Sequence, residues 1–180
     1  MYGPPVDLSF KDINSIAGAL VEEPRSGLRP LNTNSEGKYL SRSLRISYNN
    51  ITDLTDLQNV LDHFLARPSQ IGWLDLSFNR ITHIDPVLCE LRELRVLYLH
   101  GNGIWNLSEV DRLRELQYLH TITLHGNVIE TNRKYRNHVI SALPQLKTMD
   151  FSVVTRGERV LANIWRHCSN QGENTEESLQ

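Results

Sequence analysis

The chain has 180 residues, a formal net charge of −2, and 39 % hydrophobic against 22 % charged residues. That length fits one domain with a sizeable core, and the near-neutral charge offers no general basic surface for nucleic acid. No apolar run reaches the about 18 residues of a membrane helix, and the first residues lack the features of a secretory signal. Two distant cysteines, Cys89 and Cys168, favour a reducing, cytoplasmic compartment over a disulfide framework.

Leucine and asparagine are in excess, with 26 Leu and 15 Asn, and this combination indicates an internal repeat. The pattern L-x-x-L-x-L-x-x-N-x-L fits at every fixed place from Ile71, Leu94 and Leu119. An earlier copy has Ser41 in place one, and a late copy puts Val154 where Asn belongs. The sequence therefore predicts an α/β leucine-rich-repeat solenoid with about five short parallel strands on its concave face.

The segment before the first copy is predicted to cap the solenoid, because an uncapped end would expose the core. Ser9 to Asp12 is similar to a capping box that starts a helix, and Pro24 ends that helix. One face of it is apolar: Ile13, Ile16, Ala17, Leu20 and Val21. Residues 25–37 are predicted to be a loop, or alternatively a partner-binding segment.

In each copy, places four and six point inward from the strand, since side chains alternate along a strand. The Asn at place nine lies where the chain turns away, and its side chain can pair with backbone groups that the turn leaves free. Stacked copies predict a buried asparagine ladder: Asn49, Asn79, Asn102 and Asn127. On the convex side, Asp56–Leu65 carries a helical apolar stripe, and the other connections are predicted to hold short helical turns.

The C-terminal part is predicted to close the solenoid. A helix is expected over Tyr135–Leu143, and the last copy places Met149 and Phe151 inward. A covering helix is expected over 157–167. The predicted organisation is a capping segment at 1–40, the repeat domain with its C-terminal cap at 41–168, and an acidic flexible tail at 169–180.

The C-terminal motif resembles the cap of SDS22-like leucine-rich-repeat proteins, and its matching residues are Tyr135, Arg136, Leu143, Pro144, Leu146, Asp150, Val154, Thr155, Glu158 and Arg159. The resemblance implies a structural cap in which Tyr135, Asp150 and Arg159 form internal contacts. The string from Glu22 to Leu31 is not a repeat motif, and it narrows the resemblance to a small non-enzymatic member of this group over about residues 4–167.

The exposed strand places predict the binding surface. Arginine beside large aromatic residues is typical of interface hot spots, and the predicted partner contacts on the concave face are Arg45, Trp73, Tyr98, His100, Thr123 and His125. The alternative is a solvated concave face with the contacts on the edge or convex side. Tyr48 and Phe78 are interpreted as packing residues. His100 and His125 should be neighbours, but two imidazoles do not make a metal site.

These residues predict no catalytic set, no metal and no cofactor. The expected function is a non-catalytic protein-interaction module, a structural or adaptor subunit of a larger assembly. The resemblance makes a ciliary or flagellar axoneme, with tubulin- or dynein-associated partners, a plausible setting. The alternatives are a regulatory subunit of a phosphatase-1-type complex and a subunit of an RNA complex, although the charge argues against direct nucleic-acid contact.

Overall fold

A computed structural model describes residues 2–176, and the side chains of residues 2–169. One sheet holds seven strands in chain order, six of them parallel and the last antiparallel. The strands are β1 Val6–Asp7, β2 Ser43–Arg45, β3 Trp73–Asp75, β4 Val96–Tyr98, β5 Thr121–Thr123, β6 Thr148–Met149 and β7 Ser152–Val153. The solenoid and its five repeat strands are confirmed, whereas β1 and β7 were not predicted.

Helical segments form the convex side. The α-helices are α1 Leu57–Phe64, α2 Tyr135–Ala142 and α3 Arg156–Glu176. The 3₁₀ helices are Ile16–Val21, Pro68–Gln70, Pro86–Glu90, Leu107–Glu115 and Val128–Thr131. The helical stripe of α1 is buried as its spacing predicts, and the repeats that begin at Ile71 and Leu94 have 3₁₀ helices on the convex side.

The repeat places set the register of the sheet. Place four of successive copies pairs across the strands as Leu44, Leu74, Leu97, Ile122 and Met149, and all five side chains are fully buried. Each such side chain contributes about 1.5–3 kcal/mol through burial. Each repeat packs its place-four side chain against those of the neighbouring repeats. This continuous core keeps the concave strands in register.

The asparagine ladder joins each repeat to the one before it. Asn79 donates from Nδ2 to the Ile46 and Leu76 carbonyls at 2.9 and 3.1 Å and accepts from the Ile51 N–H at 3.2 Å. The same pattern recurs at the other rungs, Asn49, Asn102 and Asn127. All four side chains are buried, so they provide the partners that the turning backbone lacks.

The N-terminal segment is a degenerate repeat, and the predicted helix start at Ser9 is wrong. Val6 to Phe10 repeats the chemistry of Leu74 to Phe78. Ser9 donates through N and Oγ to Asp7 Oδ1 at 2.9 and 2.6 Å, as Ser77 does to Asp75 at 3.0 and 2.6 Å. The turn that follows the strand gives Phe10 a φ of 55°, which is incompatible with a helix. The helix begins after Ser15 instead, and Val21 is exposed rather than buried.

The C-terminal end turns back on itself, and the inward orientation predicted for Phe151 is wrong. Asp150 and Phe151 have φ values of 50° and 62° and form the two-residue turn between β6 and the antiparallel β7. This turn type matches the twist of a hairpin, and it leaves Phe151 60 % exposed. The covering helix α3 extends to Glu176, beyond the expected end at 167, since no proline interrupts it. Residues 177–180 of the expected tail lie outside the described residues.

Candidate functional site

Trp73 and Tyr98 lie side by side on neighbouring strands of the concave face. Both side chains are partly exposed, and their rings meet edge to face at 5.5 Å. The Arg45 guanidinium lies over the Trp73 ring at 5.3 Å. Three of the predicted contact residues therefore form one continuous surface across β2, β3 and β4.

Carboxylates on the same strand place orient Arg45. Its guanidinium lies 3.7 Å from Asp7 and 3.3 Å from Asp75, and Asp75 is buried. Since the Asp75 carboxylate also accepts from Ser77, it is fixed in place. The concave face thus presents a guanidinium that is held over an aromatic ring by two carboxylates.

The two predicted imidazole neighbours are stacked. The rings of His100 and His125 are 4.7 Å apart and within 7° of parallel. Thr123 does not belong to the exposed surface, because its side chain is fully buried beneath them. Its hydroxyl contacts His100 Nδ1 at 2.6 Å, so Thr123 orients His100 instead of offering a contact.

Burial lowers the pKa of His100, and the neighbouring His125 ring lowers it further. His125 Nδ1 lies 3.2 Å from the Asp150 carboxylate, which can only accept when ionised, so Nδ1 carries the proton. His120 contacts its own neighbour, Thr121, at 2.8 Å. The stacked pair consequently presents a flat polar surface that is held by Thr123 on one side and Asp150 on the other.

Phe151 also belongs to this surface, although the repeat pattern predicts that it lies in the core. Its ring lies 5.4 Å from Tyr98, 5.6 Å from His100 and 5.7 Å from His125. The signal for its true position is the missing Asn at place nine of the last copy, which marks the point where the repeat geometry stops. We name the resulting set the concave aromatic cluster: Trp73, Tyr98, His100, His125 and Phe151.

Three further rings form an aromatic column beside this cluster, at place eight of the first three repeats. Phe10 stacks on Tyr48 at 4.4 Å, and Tyr48 stacks on Phe78 at 4.5 Å. Tyr48 and Phe78 pack against their neighbours in this column, as expected, yet the two residues are still 45 % and 42 % exposed. Their φ values near 55° turn them outward, so they enlarge the exposed aromatic surface.

The column ends at Gly101. This residue occupies place eight with a φ of 70°, and a Cβ there would lie 2.6 Å from the Phe78 ring. Only glycine fits both conditions. Tyr48 is stacked on both faces, and Phe78 meets Gly101 and His100 on its outer side, so these two rings offer mainly their edges.

The structural cap closes the sheet through Asp150. Its Oδ1 accepts from the N–H groups of Leu124 and His125 at 2.7 and 3.1 Å, which have no further parallel strand beside them. Its Oδ2 accepts from the Tyr135 hydroxyl at 2.6 Å; burial, together with this bond, raises the pKa of Tyr135. Arg159 donates to the Leu146 carbonyl. Asp150 and Arg159 therefore act on different parts of the cap.

Within residues 2–176, no group of three or more His, Cys, Asp or Glu side chains is placed to hold a metal ion. None of the helices described there is long and apolar enough to cross a membrane. Burial raises the pKa of the half-buried Cys89 thiol, which disfavours the thiolate that a nucleophile requires.

Comparison with known proteins places the chain in its family. A leucine-rich-repeat family model matches residues 42–179, and the chain belongs to the leucine-rich-repeat family. Leucine-rich repeat-containing protein 51 of Mus musculus is 47 % identical over 163 residues, which are 91 % of this chain and 85 % of that protein. The Homo sapiens protein of the same name is 45 % identical over the same coverage. The narrower resemblance indicated by the sequence is to these proteins and is confirmed.

Among solved structures, the Drosophila melanogaster SNF/U2A′ complex contains a similar chain. It has a TM-score of 0.62 and 25 % identity, and the match covers 86 % of this chain and 84 % of that one. A probable U2 small nuclear ribonucleoprotein A′ of Caenorhabditis elegans is 35 % identical over 114 residues, 62 % of this chain and 45 % of that protein. Both likenesses agree with a leucine-rich-repeat solenoid.

Proposed function

We propose that the protein is a non-catalytic interaction module that binds a protein partner on its concave face. The observation that supports this most strongly is the concave aromatic cluster beside Arg45, which combines exposed rings with an oriented guanidinium. Tyr, Trp and Arg dominate the binding energy of protein interfaces. The related Drosophila structure is a complex of U2A′ with SNF, so a chain of similar fold is found in an assembly.

The aromatic column argues for a protein partner over a nucleic acid. Unpaired bases are bound by stacking on free aromatic faces, and both faces of Tyr48 are covered by Phe10 and Phe78. Ring edges carry the positive part of the aromatic quadrupole and suit apolar groups and carbonyl oxygens. The net charge of −2 further weakens attraction to a phosphate backbone.

The test is affinity purification with Trp73→Ala/Tyr98→Ala as bait. Partner recovery should fall at least about tenfold, because hot-spot truncations cost 2 kcal/mol or more. Trp105→Ala/Tyr118→Ala removes the same two ring types from exposed positions outside the concave strands and should recover the partner normally. Undiminished recovery with the first variant contradicts a concave binding site.

As the cellular setting we propose a cytoplasmic assembly of the ciliary or flagellar axoneme, on the strength of the SDS22-like resemblance. Fractionation of ciliated cells tests this setting directly. Retention of the protein in salt-extracted axonemes supports a structural subunit with tubulin- or dynein-associated partners. Recovery in a soluble complex with a type-1 phosphatase contradicts it and supports the alternative regulatory role.

A further inference from the structure

An open cleft of about 580 Å³ lies at the N-terminal end of the sheet, beside the edge strand β1. One wall is the start of the chain through Pro4 and Pro5, and the other is the segment 25–31. A hydrogen bond from the Arg25 N–H to the Asp7 carbonyl, at 2.7 Å, holds that segment against β1. Ligand clefts typically have volumes of about 300–1,000 Å³, so this one has room for several side chains.

The lining of the cleft is mainly apolar, with side chains from Tyr2, Pro4, Pro5, Leu28 and Leu31. Leu31 packs partly against the core, whereas Leu28 is fully exposed. An exposed leucine beside rigid prolines gives a partner an apolar surface on which its own apolar side chains can be buried.

Three arginines line the cleft, Arg25, Arg29 and Arg45, with Asp7 as the acidic residue among them. Asp7 lies 3.7 Å from Arg45. Among the described residues, Arg25 and Arg29 take part in no ion pair. The cleft therefore has an excess of positive charge, although the whole chain carries −2.

Arg45 connects the cleft to the concave face. It lines the cleft, and its guanidinium also lies over Trp73. A polypeptide that crosses the concave aromatic cluster can consequently continue into the cleft without leaving the surface. This continuity favours a segment of a protein partner over a separate small molecule.

We propose that this cleft binds a short acidic segment of the protein partner, with apolar side chains packed on Leu28 and Leu31 and carboxylates paired with Arg25 and Arg29. The proposal rests on the proposed function only in that the ligand is a protein. The proposal gives residues 25–37 a role in partner binding, which was the alternative to the prediction of a loop.

The test uses a fluorescein-labelled peptide, Gly-Ser-Asp-Glu-Leu-Phe-Glu-Asp-Gly-Ser, and fluorescence anisotropy with the full-length protein. Arg25→Gln/Arg29→Gln should weaken binding about tenfold or more, because it removes the two charges that pair with the carboxylates of the peptide. Leu28→Ser should also weaken it, and since this side chain is fully exposed the fold should be unaffected. A peptide with Asn and Gln in place of Asp and Glu should bind the wild type as weakly as the acidic peptide binds the Arg25/Arg29 variant.

Arg114→Gln/Arg133→Gln is the matched control, since it removes two exposed arginines outside the cleft. It should bind the peptide within about twofold of the wild type, because surface charges outside a site contribute little. Equal binding by the Arg25/Arg29 variant, an equal loss in the control, or no binding to the wild type overturns the proposal. Trp73→Ala/Tyr98→Ala lies outside the cleft and should still bind the peptide, so failure of the concave site and failure of the cleft are distinguishable.

Discussion

At the scale of single residues, the asparagine ladder depends on one amide having both donor and acceptor atoms. Asn102 donates to the Leu76 and Leu99 carbonyls, both at 3.0 Å, and accepts from the Ile81 N–H at 3.0 Å. An aspartate would lose both donated bonds and bury a charge, which is costly in a low-dielectric core. The repeat pattern therefore specifies asparagine at place nine for its hydrogen bonds, not for its size.

Asn102→Ala should lower the free energy of unfolding by about 1–3 kcal/mol, because it leaves buried backbone groups without partners. Urea unfolding followed by circular dichroism measures the change. Asn137→Ala, at an exposed position of α2, is the control and should change stability by less than about 0.5 kcal/mol. Equal stabilities for the two variants would show that water replaces the ladder.

For single residues, the sequence predicts which side of the sheet a side chain faces, but not how far its neighbours bury it. Alternation along a strand correctly predicts that Tyr98 and Thr123 point to the concave side. It does not predict that the His100 imidazole lies over Thr123 and buries it. Burial on a sheet surface depends on the size of the neighbouring side chains, and this depends on which repeats are adjacent.

At the scale of elements, β1 makes the N-terminal segment part of the solenoid. Leu8 is fully buried at place six, as Leu76 is in a central repeat. Leu8→Ala and Leu76→Ala should each cost about 2–5 kcal/mol, because both remove a core leucine and leave a cavity. Chemical denaturation of the two variants measures this. If Leu8→Ala were nearly neutral, the segment would be a loosely attached arm and not a repeat.

The start of α3 should make stability depend on pH. Glu158 and Thr155 form a reciprocal capping box, and Glu158 accepts from Arg136 at 2.6 Å. The bond from Arg136, followed by that from the Thr155 N–H, lowers the pKa of Glu158 from 4.5 to about 2. Its contribution is therefore present above pH 4.5 and is lost as the pH falls towards 2.

Urea midpoints of the wild type and Glu158→Gln, measured from pH 7 to pH 2, test this. The wild type should be more stable above pH 4.5, and the difference should shrink as the pH approaches 2. Glu23→Gln, at an exposed position outside the C-terminal cap, controls for the loss of one carboxylate. A difference that does not vary with pH would show that Glu158 acts only by packing.

Helices and strands could be predicted where the apolar repeat pattern recurs, and not where that pattern is interrupted. The stripe of α1 and the five strand positions follow from recurring apolar residues. The strand at Val6–Asp7 was missed because its copy lacks the Asn at place nine, where Lys11 stands. The chain reversal at Asp150 and Phe151 depends on two left-handed residues, and neither is a glycine that would mark such a turn.

At the scale of the whole molecule, the two ends of the sheet differ. Beyond β6, the chain turns antiparallel into β7, and Asp150 satisfies the last free N–H groups. Beyond β1, the edge carries Pro4 and Pro5, which lack an N–H, and the segment that begins at Arg25. Prolines and covering segments discourage pairing between sheet edges. The solenoid is therefore closed structurally at one end and partly open, beside the cleft, at the other.

The chain reversal at Asp150 also fixes how long a partner segment can be. The six parallel strands are separated by five intervals of about 4.8 Å, so the concave face measures about 24 Å from β1 to β6. That length equals about 16 residues of α-helix or about seven residues of extended chain. Because the hairpin prevents the addition of another parallel strand, a longer partner must bend away or continue past Arg45.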